Sequence, residues 1–136
     1  MVRPAQVMPQ CRLAAIAARD RGRAEDYANR HQVAEVLDTY EDVLSAKSVD
    51  LIYNPLPINL HAEWTIKALQ AGKHVLCEKP LATNAQDARQ MADAATQAGV
   101  VNMVNLTYRN VPAVTEALSR AGLTIADIAC ISALRD

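Results

Sequence analysis

The sequence contains no phenylalanine, only four glycines and three cysteines, and no excess of either charge sign. Hydrophobic residues make up 51% of the 136 residues but aromatic residues only 4%, so the core must be built from aliphatic side chains and alanine. A net charge of -1 provides no bulk attraction to nucleic acid or to an anionic membrane. No apolar run approaches the roughly 18 residues that span a bilayer. We therefore expect neither nucleic acid nor a membrane as a partner.

The few cysteines also limit the class of protein. Cys11, Cys77 and Cys130 are widely spaced and odd in number, which argues against a disulfide framework. The first residues are not followed by an apolar signal region. These features favour a reduced, cytoplasmic setting. The three histidines share no metal-ligand spacing with one another or with the cysteines, so no metal site is predicted.

Short apolar runs alternate with helical patterns along the chain. The runs predict five buried strands, at residues 13–18, 36–37, 49–53, 75–77 and 100–106. The last two helices are expected over residues 84–98 and 111–120, and capping boxes are expected at Thr39 with Asp42 and at Thr83 with Gln86. This alternation predicts right-handed βαβ units and a parallel sheet with helices on both faces.

The most informative stretch runs from Lys73 to Pro80. Its apolar residues end abruptly in Glu78 and Lys79, which places two charges at the carboxyl end of a predicted parallel strand. Open α/β sheets bind their ligands at that edge. Pro80 pushes Lys79 toward an extended conformation and permits a cis peptide bond. The alternative is an ordinary strand end with solvated charges.

These pieces, in this order and spacing, resemble the amino-terminal half of the Gfo/Idh/MocA family, the relatives of glucose-fructose oxidoreductase and inositol dehydrogenase. The most specific block is AGKHVLCEKPLA at 71–82, with matching segments at 40–44, 49–53 and 60–64. The resemblance implies an α/β fold with an incomplete doubly wound, Rossmann-type parallel sheet that lacks its first strand and its glycine-rich turn. Residues 1–107 would form a partial dinucleotide-binding domain, and residues 108–136 the start of a truncated α+β substrate domain.

The resemblance also implies a function. Such enzymes transfer a hydride between NAD or NADP and a sugar, polyol or related hydroxyl compound. Lys79 would be the catalytic residue, and Glu78 would position it. Contacts with the cofactor are implied at Arg19, Asp20, Asn54, Pro55, Leu56, His61, Glu78, Lys79 and Arg109. A homo-oligomer is expected for a complete enzyme.

Several of these residues have a second interpretation. Asp20 stands where a strand gives way to a helix, so it could cap that helix instead of binding a ribose. Arg19 could bind the 2′-phosphate of NADP or be a solvated surface residue. Arg109 could pack at a domain junction, and His74, within an apolar run, is interpreted as structural. Three large side chains are assigned to the core: Met91, Met103 and Trp64.

Two other function classes fit the same pattern. One is a catalytically silent nucleotide-binding or interaction module on a Rossmann scaffold, and the other is a flavodoxin-like regulatory domain. An upstream glycine-rich turn and a downstream α+β domain in the reading frame would favour the enzyme over both. Because residues 1–136 lack these parts, we expect them alone to bind the cofactor weakly and not to turn over substrate.

Overall fold

The computed structural model describes residues 2–107 and 111–122, in which helices and strands alternate. The helices are α1 (Val2–Val7), α2 (Arg21–His31), α3 (Tyr40–Ser45), α4 (His61–Gln70), α5 (Ala85–Ala98) and α6 (Pro112–Ala121), with a 3₁₀ turn at Ile58–Leu60 before α4. The strands are β1 (Ala15–Ile16), β2 (Glu35–Val36), β3 (Leu51–Asn54), β4 (His74–Cys77) and β5 (Asn102–Val104). The predicted alternation of strands and helices is confirmed.

The strands form two sheets, and every pair of neighbouring strands among the described residues is parallel. β1 pairs with β2. The other sheet has the order β3-β4-β5, with Tyr53 opposite Leu76 and Leu76 opposite Met103. Within residues 2–107 and 111–122, β1 and β3 each have a strand partner on one side only. Unpaired edges at these two strands are the arrangement expected for a sheet without its first strand.

β1 and β5 are shorter than the apolar runs that predicted them, with two residues in β1 and three in β5. Each of these strands pairs on one side only in the described chain, so fewer of their residues form ladder hydrogen bonds. The structural role of His74 is confirmed. Its Nδ1 accepts a hydrogen bond from the backbone N–H of Val101 at 3.0 Å, which ties β4 to β5.

Local sequence signals fix most helix ends. The capping box of Thr39 with Asp42 is confirmed at the start of α3. Gly72 and Gly99, which follow α4 and α5, have φ angles of 76° and 66°, the left-handed conformation that glycine adopts without steric cost. The helix predicted over 111–120 is α6, one residue later in the chain.

The predicted capping box of Thr83 with Gln86 is wrong. Asn84 caps α5 instead, because its side-chain oxygen accepts a hydrogen bond from the backbone N–H of Asp87 at 2.9 Å. The Asp87 carboxylate in turn accepts one from the Asn84 side chain at 2.8 Å. Threonine and asparagine are both good capping residues, so the motif itself did not distinguish two adjacent candidates.

The core lies between the three-stranded sheet and the two helices α4 and α5. Its fully buried residues are Ala68, Leu69, Val75, Cys77 and Met91. The opposite face of this sheet leaves Leu51 and Met103 about half exposed, at 53% and 55%. The assignment of Met103 to the core is wrong, because Met103 pairs with Leu76 and so points away from the face that Val75 and Cys77 occupy.

Trp64 is also outside this core. It is half-buried where α3 meets α4, with its ring edge-on to Tyr40 at a centroid distance of 4.9 Å. The Lys67 ammonium lies 4.1 Å from the centroid of the same ring. An aromatic edge and a cation can cover an indole ring at the surface. Its assignment to the core is therefore corrected.

No helix in residues 2–107 and 111–122 is long and apolar enough to cross a membrane. Cys11 is exposed and Cys77 is buried, and both are free thiols. Burial raises the pKa of the Cys77 thiol. Cys130 lies outside the described residues.

The two methionines provide a matched test of this core. Met91→Ala should destabilise the protein by about 2–5 kcal/mol, because it empties a fully buried site. Met103→Ala removes the same atoms from an exposed site and should cost less than about 1 kcal/mol. Urea denaturation of both variants measures the difference, and equal losses would contradict the assignment of faces.

Candidate active site

Polar side chains lie where β3, β4 and β5 end, at one edge of the three-stranded sheet. They are Asn54, which begins the turn at 54–57, Glu78 and Lys79 in the segment 78–80, and Asn105. Backbone hydrogen bonds continue across this edge, from Glu78 N–H to Asn54 O at 3.0 Å and from Asn105 N–H to Cys77 O at 2.7 Å. Because the strands are parallel, this is the carboxyl edge, where open α/β sheets bind ligands.

The Glu78 carboxylate is anchored to both neighbouring strands. The Tyr53 hydroxyl, on β3, donates a hydrogen bond to Glu78 Oε1 at 2.5 Å. The Asn105 side-chain amide, just beyond β5, donates to the same oxygen at 2.6 Å. The backbone N–H of Lys79 donates to Oε2 at 3.3 Å. Glu78 is therefore fixed through its side chain as well as its backbone.

These contacts fix the charge states of Tyr53 and Glu78. The hydrogen bonds from Tyr53 and Asn105 lower the pKa of Glu78 from its ordinary value of 4.5. Burial, together with the hydrogen bond to Glu78, raises the pKa of Tyr53 to about 12. At neutral pH the pair is thus a neutral phenol that donates to an ionised carboxylate.

The segment 78–80 is also anchored beyond Lys79. His61, the first residue of α4, is buried with 2% of its surface exposed. Its Nδ1 lies 3.0 Å from the carbonyl oxygen of Pro80, and its Nε2 lies 2.7 Å from that of Leu56. The ring therefore connects the segment after β4 with the turn after β3.

Asn54 organises that turn from within the protein. Its side-chain oxygen accepts a hydrogen bond from the backbone N–H of Leu56 at 3.2 Å. Its amide group donates to the carbonyl oxygen of His61 at 3.3 Å and to the Thr65 hydroxyl at 3.1 Å. Asn54 is 3% exposed, so the side chain is satisfied internally. Contacts of Asn54, exposed Pro55 and half-buried Leu56 with a cofactor stay predictions.

Lys79 differs from its neighbours because it is exposed and its ammonium has no hydrogen bond or ion pair with any described residue. The peptide bond between Lys79 and Pro80 is cis. The Glu78 carboxylate contacts Lys79 only through the backbone N–H in the described chain. Glu78 can therefore influence the lysine through this backbone contact and through the attraction between the two opposite charges.

Arg19 and Asp20 follow β1 and are both exposed. Asp20 caps α2, because its Oδ1 accepts a hydrogen bond from the backbone N–H of Arg23 at 3.0 Å. Its contact with a ribose stays a prediction. Arg21 pairs with Asp38, whereas Arg19 has no ion pair within residues 2–107 and 111–122. Arg19 is thus available to bind an anion.

Tyr53 and Asn105 are not among the site residues that the sequence predicted. Both side chains stand at strand ends and share a sheet face with Glu78, but only the strand register reveals that the three meet. Arg109 lies outside the described residues, so its predicted contact stays a prediction. No group of three metal-binding side chains occurs among the described residues.

The parallel strands and the polar carboxyl edge define an α/β unit of the Rossmann type. Residues 2–106 match the Gfo/Idh/MocA family model, described as "Oxidoreductase family, NAD-binding Rossmann fold". The chain therefore belongs to this family of oxidoreductases, and both the resemblance and the predicted fold class are confirmed.

Several of the named relatives are sugar-related oxidoreductases. The chain is 40% identical over 106 residues to D-xylose 1-dehydrogenase (NADP(+)) 2 of Haloferax volcanii, covering 78% of this chain and 33% of that protein. A 3-ketoreductase of Actinomadura kijaniata, solved with NADP and TDP-benzene, superposes with a TM-score of 0.85 at 34% identity, over 89% of this chain and 37% of that one. Levoglucosan dehydrogenase, solved with NADH and levoglucosan, gives a TM-score of 0.77 at 30% identity, over 82% and 30%.

The chain spans between a quarter and just over a third of the length of the first curated relatives that it matches. Family membership implies a nicotinamide cofactor. The described residues include one exposed cation suited to its phosphate and ribose groups and one suited to its reacting nicotinamide end. The exposed guanidinium of Arg19 suits a phosphate or ribose, and the exposed ammonium of Lys79 suits the reacting end. The four glycines lie in α2 or at helix ends, so none forms a glycine-rich turn between a strand and a helix.

The bond between Tyr53 and Glu78 predicts a pH-dependent stability. Glu78 has a lower pKa in the folded protein than its ordinary 4.5, so its stabilising contribution is present above that pH and is lost as the pH falls through the folded value. Tyr53→Phe should therefore cost about 1–3 kcal/mol at pH 7 and progressively less toward pH 3.

Urea denaturation at several pH values measures this difference. Tyr40→Phe is the matched control, because the Tyr40 hydroxyl has no hydrogen bond to the described residues. The cost of this control should not change between pH 3 and pH 7. A constant cost for Tyr53→Phe across the same range would contradict the interpretation.

Proposed function

We propose that the gene product carrying this chain transfers a hydride between NAD or NADP and a sugar, polyol or related hydroxyl compound. The observation that carries the proposal is the exposed Lys79 between two anchored neighbours, Glu78 and Pro80, at the carboxyl edge of the sheet. The named substrates of the relatives, xylose and levoglucosan, support the substrate class. Oligomeric state and cellular location stay predictions.

The residues of this chain would orient the reactants and handle charge. A bound nicotinamide supplies or accepts the hydride. Lys79 would donate a hydrogen bond to the reacting oxygen, stabilise the negative charge that develops on it and relay its proton. Because Glu78 and Pro80 are fixed, the backbone of Lys79 would be held in place, and only its side chain would have to orient for this bond. Arg19, Asp20, Pro55, Leu56 and Arg109 would hold the cofactor.

Lys79→Ala should lower turnover by about a hundredfold or more, because one group that stabilises the transition state is lost. The dissociation constant for the cofactor should change little. Steady-state kinetics of the gene product and a nicotinamide fluorescence titration measure the two quantities.

The matched control for this variant is Lys47→Ala. Lys47 is exposed but precedes β3, at the other end of the strands. Turnover within a few-fold of the parent for Lys79→Ala would contradict the catalytic role of Lys79 and support the alternative of an ordinary strand end with solvated charges. A similar loss in the Lys47 variant would show that the effect is not local to the site.

Cofactor preference gives a second test. Arg19 would attract the 2′-phosphate of NADP, while the Asp20 carboxylate repels it unless it is occupied as a helix cap. We therefore propose use of both cofactors with a preference for NADP. Arg19→Ala should raise the dissociation constant for NADPH about tenfold and leave that for NADH nearly unchanged.

Fluorescence titrations with NADPH and NADH compare the two constants. Arg30→Ala, at the far end of α2, is the control for a change in net charge. Equal weakening of both cofactors by Arg19→Ala would remove the basis for assigning Arg19 to the 2′-phosphate.

A further inference from the structure

His61 stands between two segments that are poor in backbone donors. The turn at 54–57 contains Pro55 and Pro57, and the segment after β4 contains Pro80, none of which has an N–H group. Carbonyl oxygens in such segments need donors from elsewhere. The His61 ring faces one in each segment, Leu56 O at 2.7 Å and Pro80 O at 3.0 Å. We call these two contacts the His61 bridge.

The bridge occupies both nitrogens of a ring that is almost fully buried, since only 2% of His61 is exposed. A direct contact with a bound cofactor would require the ring to give up one carbonyl oxygen and to become uncovered. Leaving a buried polar group without a partner costs about 1–3 kcal/mol. The backbone of His61 is fixed as well, because its carbonyl oxygen accepts a hydrogen bond from Asn54.

We propose that His61 is a positioning residue, which fixes the turn at 54–57 relative to Lys79 through Leu56 O and Pro80 O, instead of contacting the cofactor. This inference rests on the proposed function, because it requires that the turn meets the cofactor and that Lys79 meets the substrate. Displacing a reacting group by about 1 Å can cost about a hundredfold in rate. A link between the two segments would therefore control how well they are aligned.

The chemistry of the ring allows the two halves of the bridge to be separated. Carbonyl oxygens only accept hydrogen bonds, so each ring nitrogen bonds to the oxygen that it faces only in the form of the ring in which that nitrogen carries the proton. In asparagine the amide nitrogen is bonded to Cγ, as Nδ1 is in histidine, so His61→Asn retains a donor toward Pro80 O. In glutamine the amide lies one bond further out, so His61→Gln retains a donor toward Leu56 O. His61→Phe retains a ring but no donor.

The three variants should then differ in kinetics. In the gene product, His61→Gln should bind NADPH within about threefold of the parent but lose about tenfold or more in kcat. His61→Asn should show the reverse: its dissociation constant for NADPH should be higher than that of the parent, and its kcat at saturating cofactor should be nearly normal. His61→Phe should lose both. His31→Gln, in α2, is the control and should change neither.

An NMR measurement tests the bridge without relying on activity. The carbonyl ¹³C resonance of Leu56 should move in His61→Asn, that of Pro80 should move in His61→Gln, and both should move in His61→Phe. Urea denaturation of each variant gives its folded fraction, and the rates are corrected for it.

The outcomes separate this inference from the proposed function. Equal loss of cofactor affinity in all three variants would show that the ring contacts the cofactor. Kinetics that match the parent after correction for the folded fraction would show that the bridge only stabilises the fold. If the parent shows no hydride transfer while the carbonyl resonances move as expected, the proposed function fails and the bridge stands. Resonances that do not move would refute the bridge.

Discussion

The arrangement of this edge depends on the double hydrogen bond that Glu78 Oε1 accepts from Tyr53 and Asn105. It joins three adjacent strands at the point where their backbone ladder ends. Because both donors favour the ionised carboxylate, the bonds are charge-assisted and stronger than neutral ones. Without them, a segment that leaves a strand toward a proline would have few backbone donors to hold it. Lys79 can remain exposed and still be well placed because its neighbour is fixed.

The two faces of the sheet contribute differently to the same segment. Tyr53 and Asn105 reach Glu78 from the face that leaves Leu51 and Met103 exposed. His61 reaches Pro80 from α4, which covers the other face together with α5. Contacts from opposite faces oppose displacement in both directions. An edge held in this way is preorganised, and preorganisation lowers the cost of aligning groups during a reaction.

The sequence predicted the parallel α/β architecture because that depends on local patterns, such as the apolar run before Glu78 and the glycines after α4 and α5. It did not predict the partners of Glu78, because Tyr53 and Asn105 are about 25 residues away from it and meet it only through the strand register. The same lack of register information placed Met103 in the core. Capping failed at α5 for a different reason, since Thr83 and Asn84 are equally suitable by residue type.

Burial separates two kinds of residue within the predicted site. A buried polar side chain must find partners within the protein, and His61 and Asn54 do so with backbone carbonyl and N–H groups of the turn at 54–57 and the segment 78–80. An exposed charged side chain such as Arg19 or Lys79 is hydrated by water, so it can lack a protein partner without the free-energy cost of an unsatisfied buried group. A family motif contains both kinds and does not distinguish them. The hydrogen bonds do distinguish them: the buried amide and imidazole shape the loops, and the exposed cations are the residues to which we assign the proposed binding and catalysis.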